Sequence, residues 1–432
     1  MSESIEQAVS AEQPTWGVAR RFGFRLVLVY FILCILPLPI AWVPWTDKLN
    51  ELYLKVLAAL VVWAGPTILG IDRTIATESN GSGDRTYNYV LTFCLFALSL
   101  LAATVWSTID RRPRRHEGLL RGLQLYVRTY LGVMMLGYGF AKIFERQFLT
   151  PSPGQLVQTY GESSPMHLLW TFMGFSRPYT MFAGFMEAIA GMLLFVRRTA
   201  TTGALLLLAV LANVVLLNLC YDVPVKLLSI HLWLMALFLA APAIPKLVAI
   251  LVGTRPVGPA FDPPFFTRRN PSIIAASLYA VLVATMAYDT INTIWTDGRD
   301  NAHAPAVRDL FDVEEMTIDG VPQLPVPANA SRWRRVWIRA KAIRVYWMDG
   351  RSEIYVASGE IKGPTTLVLR LATDNKGVQR ARLDLRPDGA GYLLSGDFEG
   401  KKVHAHLTML PREKSLLMTR GFHWINDVPF NR

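Results

Sequence analysis

Eight residues with the chemistry to hold a ligand or move a proton fall inside one otherwise apolar stretch, Arg128 to Ala241: Tyr138, Lys142, Glu187, Asn213, Asn218, Asp222, Lys226 and His231. Ionisable groups in sequence of membrane type are costly, so each is a candidate functional residue. A carboxylate, an amine, an imidazole and a phenol around one cleft could bind the polar head of a lipophilic molecule. His231 could relay protons beside an acid and an amine, because an imidazole titrates near neutral pH. Structural roles stand beside these. Lys142 and Glu187 could form an interhelical ion pair that fixes packing. Asn213 and Asn218 could bridge helices. Asp222 and Lys226 could cap and pair around the turn at Pro224, and His231 could bond a carbonyl.

The elements that must position these residues are membrane spans. The chain is 52% apolar, and the excess lies in long blocks over the first two thirds, which points to an α-helical polytopic membrane bundle. Residues 1–19 are polar and expected to be disordered; 20–296 form the transmembrane domain. Spans are expected at Phe24–Val43, Tyr89–Ser107, Leu119–Phe144, Tyr179–Val196, Thr201–Cys220, Val225–Leu247 and Ser272–Trp295. The first, preceded by Arg20, Arg21 and Arg25, reads as an uncleaved anchor. Leu52–Ile71 is apolar but interrupted by Lys55 and Gly65-Pro66; it either crosses, for eight spans, or lies at the interface or re-enters, and the arginine-rich points favour the second, with about seven spans. That number puts the N-terminus, RRPRRH (111–116), Arg197-Arg198 and the Arg255–Arg269 loop together on the cytoplasmic side. Lys142 then lies near the outer end of its span, and Glu187 about 12 Å into the next, at the helical rise. The polar set gathers in the outer half of the bundle.

Composition changes after Thr296. Residues 297–330 read as a linker, with one strand near Met316–Ile318. Across 331–432, short β-branched and aromatic runs at Val336–Tyr346, Glu353–Ser358, Thr365–Leu371, Arg380–Leu385, Tyr392–Leu394, Val403–Leu407 and Leu416–Thr419 alternate with turn sequences such as DNKG and PDGAG. This predicts an all-β sandwich or small barrel outside the cytoplasmic membrane. The HLLWTFMGF piece within 145–176 is too short to cross.

Several classes are excluded by pattern. The net charge of +11 sits largely beside apolar spans and comes with no nucleic-acid motif, so no nucleic-acid partner is expected. Cys34, Cys94 and Cys220 all lie in apolar spans without a C-x-x-C, which argues against a disulfide framework or thiolate metal site. No haem pair, iron–sulfur spacing or nucleotide loop is present. His404 and His406 share a strand face, and a metal there would need a third ligand, with His423 the nearest candidate in sequence. The aromatic-rich terminus LLMTRGFHWINDVPFNR is expected to close the β domain.

The segments RTYLGVMMLGYGFAKIFERQF and GFMEAIAGMLLFVRRTATTGALLLLAVLANVVLLN resemble the DoxX-like family of bacterial membrane proteins, over about residues 119–245. The matching positions are Arg128, Gly132, Gly139, Lys142, Glu187 and Gly191. The resemblance implies a four-helix core in a bacterial inner membrane and association with quinone redox chemistry, since the family includes a membrane subunit of a thiosulfate:quinone oxidoreductase. Quinone is the implied cofactor and redox-complex subunits the implied partners. The join of a helical membrane half to a β-rich half is also similar in architecture to the vitamin K-dependent carboxylase type, which uses a lysine near a quinol. Against an oxidoreductase or its subunit stands a non-enzymatic scaffold or lipid-binding protein that uses the β domain as a binding module.

Overall fold

A computed structural model describes residues 15–36, 46–72, 74–112, 116–253, parts of 271–292, 309–339, 341–359, 361, 365–371, 378–389, 391–411 and 415–419. The chain divides into two units, 1–144 with 181–292 and 145–180 with 293–432. The N-terminal segment 1–14, the prolines at 37 and 39, the Arg255–Arg269 loop, residues 297–308 and the aromatic terminus from Arg420 lie outside the described residues, as do His423 and much of the expected span 272–295.

The first unit is helical: α1 Val18–Ile35, α2 Asp47–Leu69, α3 Thr86–Ile109, α4 Glu117–Ile143, α7 Arg177–Phe195, α8 Ala200–Cys220, α9 Lys226–Ala240 and α10 Ile244–Leu251. Between α4 and α7 run two short helices of the second unit, α5 Pro153–Leu156 and α6 Pro165–Phe175. Among the described residues, four helices are long and apolar enough to cross a membrane: Lys48–Leu69, Thr86–Ile109, Arg177–Phe195 and Ala200–Cys220. A fifth is reached if α9 and α10, bent by 67°, count as one broken span. Of the expected spans, α1 and α4 are not among them. Arg20, Arg21 and Arg25 interrupt the first, and Arg121, Gln124 and Arg128 the second. The stretch around Leu52–Ile71 instead qualifies, as one continuous helix through Pro66 that ends on Gly70 in the left-handed conformation, φ 63°.

α4 shows why these sequences bundle. Leu123, Val127, Leu131, Met135 and Gly139 recur every fourth residue and are all buried, so one stripe faces the core. That stripe meets Phe24, Leu28 and Phe31 of α1, Leu207 and Leu211 of α8, and Leu232 and Met235 of α9. α1 and α3 run antiparallel. Arg25 bonds Asp110 at 3.1 Å and Ser107 at 3.0 Å, while Tyr30, further along α1, stacks edge-on against Phe96, further back along α3.

The second unit is built on a closed barrel. Strands β1 (Leu310–Ile318), β3 (Trp333–Ile338), β4 (Ala342–Trp347), β5 (Ser352–Ala357), β6 (Thr365–Leu371), β7 (Gln379–Asp388), β8 (Gly391–Phe398) and β9 (Lys401–Met409) pair in order, and β1 pairs antiparallel with β9 to remove both edges. The two-residue β2 (Val321–Pro322) folds back on β1 through Asp319 and Gly320, both at positive φ, as a tight hairpin requires. Alternation fills the interior. On β4, Ile343, Val345 and Trp347 are buried, while Arg344 and Tyr346 lie on the other face. The expected alternatives of sandwich or barrel thus resolve to a barrel. Several bounds differ, and β7, β8 and β9 run longer than the expected runs. The strand expected near Met316–Ile318 is the end of β1, a nine-residue barrel strand that starts at Leu310 within the expected linker. The run Val336–Tyr346 is two strands. Leu416–Thr419 is a short helix rather than a strand. Arg332, 3% exposed, donates to the carbonyls of Gln323, Val313 and Glu314 and ties β3 to the bulge in β1.

Segment 145–180 belongs to the barrel's unit. Gly154 lies so close against Trp337 that an added Cβ would come within 2.3 Å of the indole. Only glycine permits that approach.

Candidate functional site

The polar residues of the helical unit fall into three groups. In the first, Lys142 Nζ donates to Glu187 Oε2 at 2.6 Å. Both residues are buried, Lys142 at 7% and Glu187 at 3% exposure. The helices carrying them touch through glycines. A Cβ on Gly139 would stand 2.7 Å from the Gly184 carbonyl oxygen, and one on Gly191 would stand 2.9 Å from that of Gly132. Such small-residue contacts bring two backbones together in an apolar medium. The ring of Tyr138 lies 5.7 Å from Lys142 Nζ, one helical turn earlier, and offers its π face to the ammonium. An ammonium has three donors. Among the described residues Nζ hydrogen-bonds Glu187 alone, so donor capacity remains for a further oxygen acceptor.

The second group surrounds the start of α9. Asp84 accepts from the backbone N–H of Lys226 at 2.8 Å and of Leu227 at 3.0 Å. It therefore caps a helix that begins 142 residues later in the chain. The Lys226 ammonium lies 3.7 Å from Asp84 and 2.7 Å from Asp222. Asp222 is largely exposed and takes a positive φ of 50° at the turn. Asp84 lies two residues before α3, yet the helix start that its carboxylate serves is that of α9.

In the third group, His231 Nδ1 donates to the Leu227 carbonyl at 2.6 Å, which leaves Nε2 to accept from the Tyr30 hydroxyl at 2.5 Å. The ring stacks on Tyr30 at 5.8 Å between centroids. This satisfies both nitrogens of a neutral imidazole. Asn218 is buried in α8, whereas Asn213 is exposed on it.

Lys142, Glu187 and Tyr138 thus come together, as do Asp222 and Lys226. Among the described residues no hydrogen bond or ion pair joins these two groups to each other or to His231. Tyr30 and Asp84 escaped sequence reasoning because their partners lie 201 and 142 residues away. In the barrel, His404 and His406 share the outer face, and His406 sits between Glu314 at 3.7 Å and Asp388 at 3.4 Å. Among the described residues no group of three His, Cys, Asp or Glu is arranged to hold a metal.

No family model and no solved structure matches the chain. Among curated proteins, the uncharacterised protein YwoB of Bacillus subtilis (strain 168) is 33% identical over 131 residues, which is 30% of this chain and 83% of YwoB. On that similarity, the chain belongs to the family of YwoB.

Proposed function

We propose that the protein is a DoxX-like multi-pass membrane protein that binds the oxygen-bearing head of a lipophilic ligand at Lys142 and Glu187, with a quinone as the first candidate. The observation that carries this reading is a buried ammonium 2.6 Å from a buried carboxylate with donor capacity left over. A buried ion pair is seldom a net gain in stability over apolar residues of the same size, so its presence asks for another reason. Lys142 would donate to a ligand oxygen, and Glu187 would hold or release the accompanying proton. When bound, a quinone would supply two-electron redox chemistry to partner subunits in the bacterial inner membrane. The DoxX-like resemblance supports the choice of quinone, and the fit rests on Lys142.

The antiparallel course of α1 and α3 supports a topology in which α2 adds no net crossing, as the seven-span arrangement requires. Arg20, Arg21, Arg25 and the arginines at 111–112 then share the cytoplasmic side. On that arrangement the last span ends outside, so the barrel that follows it lies outside the cytoplasmic membrane. Reporter fusions after Ser82 and at the C-terminus test this: both should report an extracytoplasmic position, and a cytoplasmic C-terminus would reverse it. The ligand assignment is tested by solvent extraction of quinone from the purified protein and its variants.

A second reading, a membrane-anchored binding module without catalysis, is favoured by a cavity on the barrel's outer face.

A further inference from the structure

The excursion between α4 and α7 covers part of the barrel and leaves a cavity of about 390 Å³ between residues 157–159 and strands β3 to β5. Arg334, Arg335, Arg344, Tyr346 and Ser352 line it from the barrel and Thr159 from the excursion; no acidic residue does. The register explains the convergence. Arg335 stands opposite Tyr346 across β3 and β4, and Tyr346 stands opposite Ser352 across β4 and β5, so one row of outward side chains runs over three strands. Arg344 lies two residues from Tyr346 on the same face.

The charges are unevenly answered. Arg335 is paired with Asp312 at 2.6 Å. Arg334 and Arg344 have no acidic partner among the described residues. The Arg344 Nε is buried without a hydrogen-bond partner, and the Tyr346 hydroxyl has only the Arg344 guanidinium within reach as a donor to it, which leaves its own O–H unused. Burial raises the Tyr346 phenol above its ordinary range, while the nearby Arg344, Arg335 and Arg339 oppose that rise. Buried polar atoms are nearly always paired, so donor capacity left over on two residues that line one cavity calls for an acceptor from outside the chain.

We propose that this cavity binds a phosphoryl group, with Arg344 and Tyr346 as its principal donors and Arg334 balancing its charge. A phosphate monoester carries close to two negative charges and three acceptor oxygens, which suits two unanswered guanidiniums and hydroxyls on several sides. A carboxylate would match one arginine. The phosphate could arrive on a lipid head group or on a soluble ester, since the barrel belongs to a membrane protein.

The test is calorimetry on the full chain in a maltoside detergent free of phosphate. The probes are glycerol 3-phosphate, dihexanoyl phosphatidic acid and acetate. At least one phosphate probe should bind, with acetate at least tenfold weaker. Arg344→Gln should weaken binding at least tenfold and Tyr346→Phe about threefold, while Arg370→Gln, an exposed arginine on β6, should change nothing. Binding of phosphatidic acid alone would identify a lipid source; binding of both phosphate probes would identify the phosphate itself. Tyr346→Phe removes one oxygen and keeps the ring, so it remains informative if Arg344→Gln fails to fold. Absence of binding by both phosphate probes, equal binding of acetate, or indifference to the two substitutions would overturn the proposal. None of these results bears on quinone retention at Lys142 and Glu187.

Discussion

Asp84 accepts the backbone N–H groups of both Lys226 and Leu227, so the loop before α3 provides the N-cap of α9. The first amides of a helix have no partner within it, and a carboxylate there also meets the positive end of the helix dipole. Removing such a cap costs roughly 0.5–2 kcal/mol. Asp84→Ala should therefore lower the melting temperature of the detergent-solubilised protein, and Asp84→Asn, which keeps one acceptor, should lower it less. An unchanged melting temperature in Asp84→Ala would contradict the capping role.

The glycine contact between α4 and α7 predicts a sharp positional effect. A methyl on Gly139 would meet the Gly184 carbonyl oxygen at 2.7 Å and the Ala188 amide nitrogen at 2.8 Å, and backbone atoms cannot turn aside as side chains can. Gly139→Val should separate the helices and reduce the yield of folded protein severalfold. Gly122→Ala, on the same helix with open space around it, should be neutral or stabilise by up to about 1 kcal/mol. Size-exclusion profiles of the two variants make the comparison.

In the barrel's unit, burial and the neighbouring Arg344 charge hold His167 below the ordinary value of 6.5. The unfolded chain then binds the proton more readily. Stability is full above about pH 6.5, falls as the pH drops through that value, and levels off below the folded pKa. Thermal melts at pH 7.5 and 5.5 should show the lower melting temperature at pH 5.5, and His167→Gln should narrow the gap. An unaltered gap would assign the pH dependence to other groups.

Breaking the buried pair and replacing it should have opposite consequences. Removing one partner leaves an uncompensated buried charge, at a cost of about 3–5 kcal/mol, whereas apolar replacement of both is close to neutral or better. Lys142→Met alone should destabilise the bundle, and Lys142→Met with Glu187→Leu should recover most of the loss. If the double variant is as unstable as the single one, the pair holds the fold together instead of being held by it.

Much of the plan was legible along the chain. β6 has the bounds that its residue pattern predicts, because Leu367, Leu369 and Leu371 alternate with Thr366, Val368 and Arg370, the period of a strand. Lys142 and Glu187 could be matched because each interrupts an apolar helix. What was hidden was either non-local or locally ambiguous. β1 carries Asp312, Glu314 and Glu315, so only its end, Met316–Ile318, reads as strand and the rest as linker until β9 pairs with it and closes the barrel. Val336–Tyr346 reads as one run, yet the chain reverses between Ile338 and Ala342. Leu416–Thr419 is too short for periodicity to separate helix from strand. The contacts of Tyr30 with His231 and of Gly154 with Trp337 exist only once distant segments have packed.

Quinone content in the purified protein tests the central claim most directly. The protein would be produced in membranes containing quinone, extracted with organic solvent, and the quinone quantified per mole of chain. The wild-type chain should retain close to one quinone. The double variant Lys142→Met with Glu187→Leu, verified as folded by its melt, should retain less than a fifth of that. A wild-type protein that retains none, or a folded double variant that retains as much as the wild type, would contradict the account.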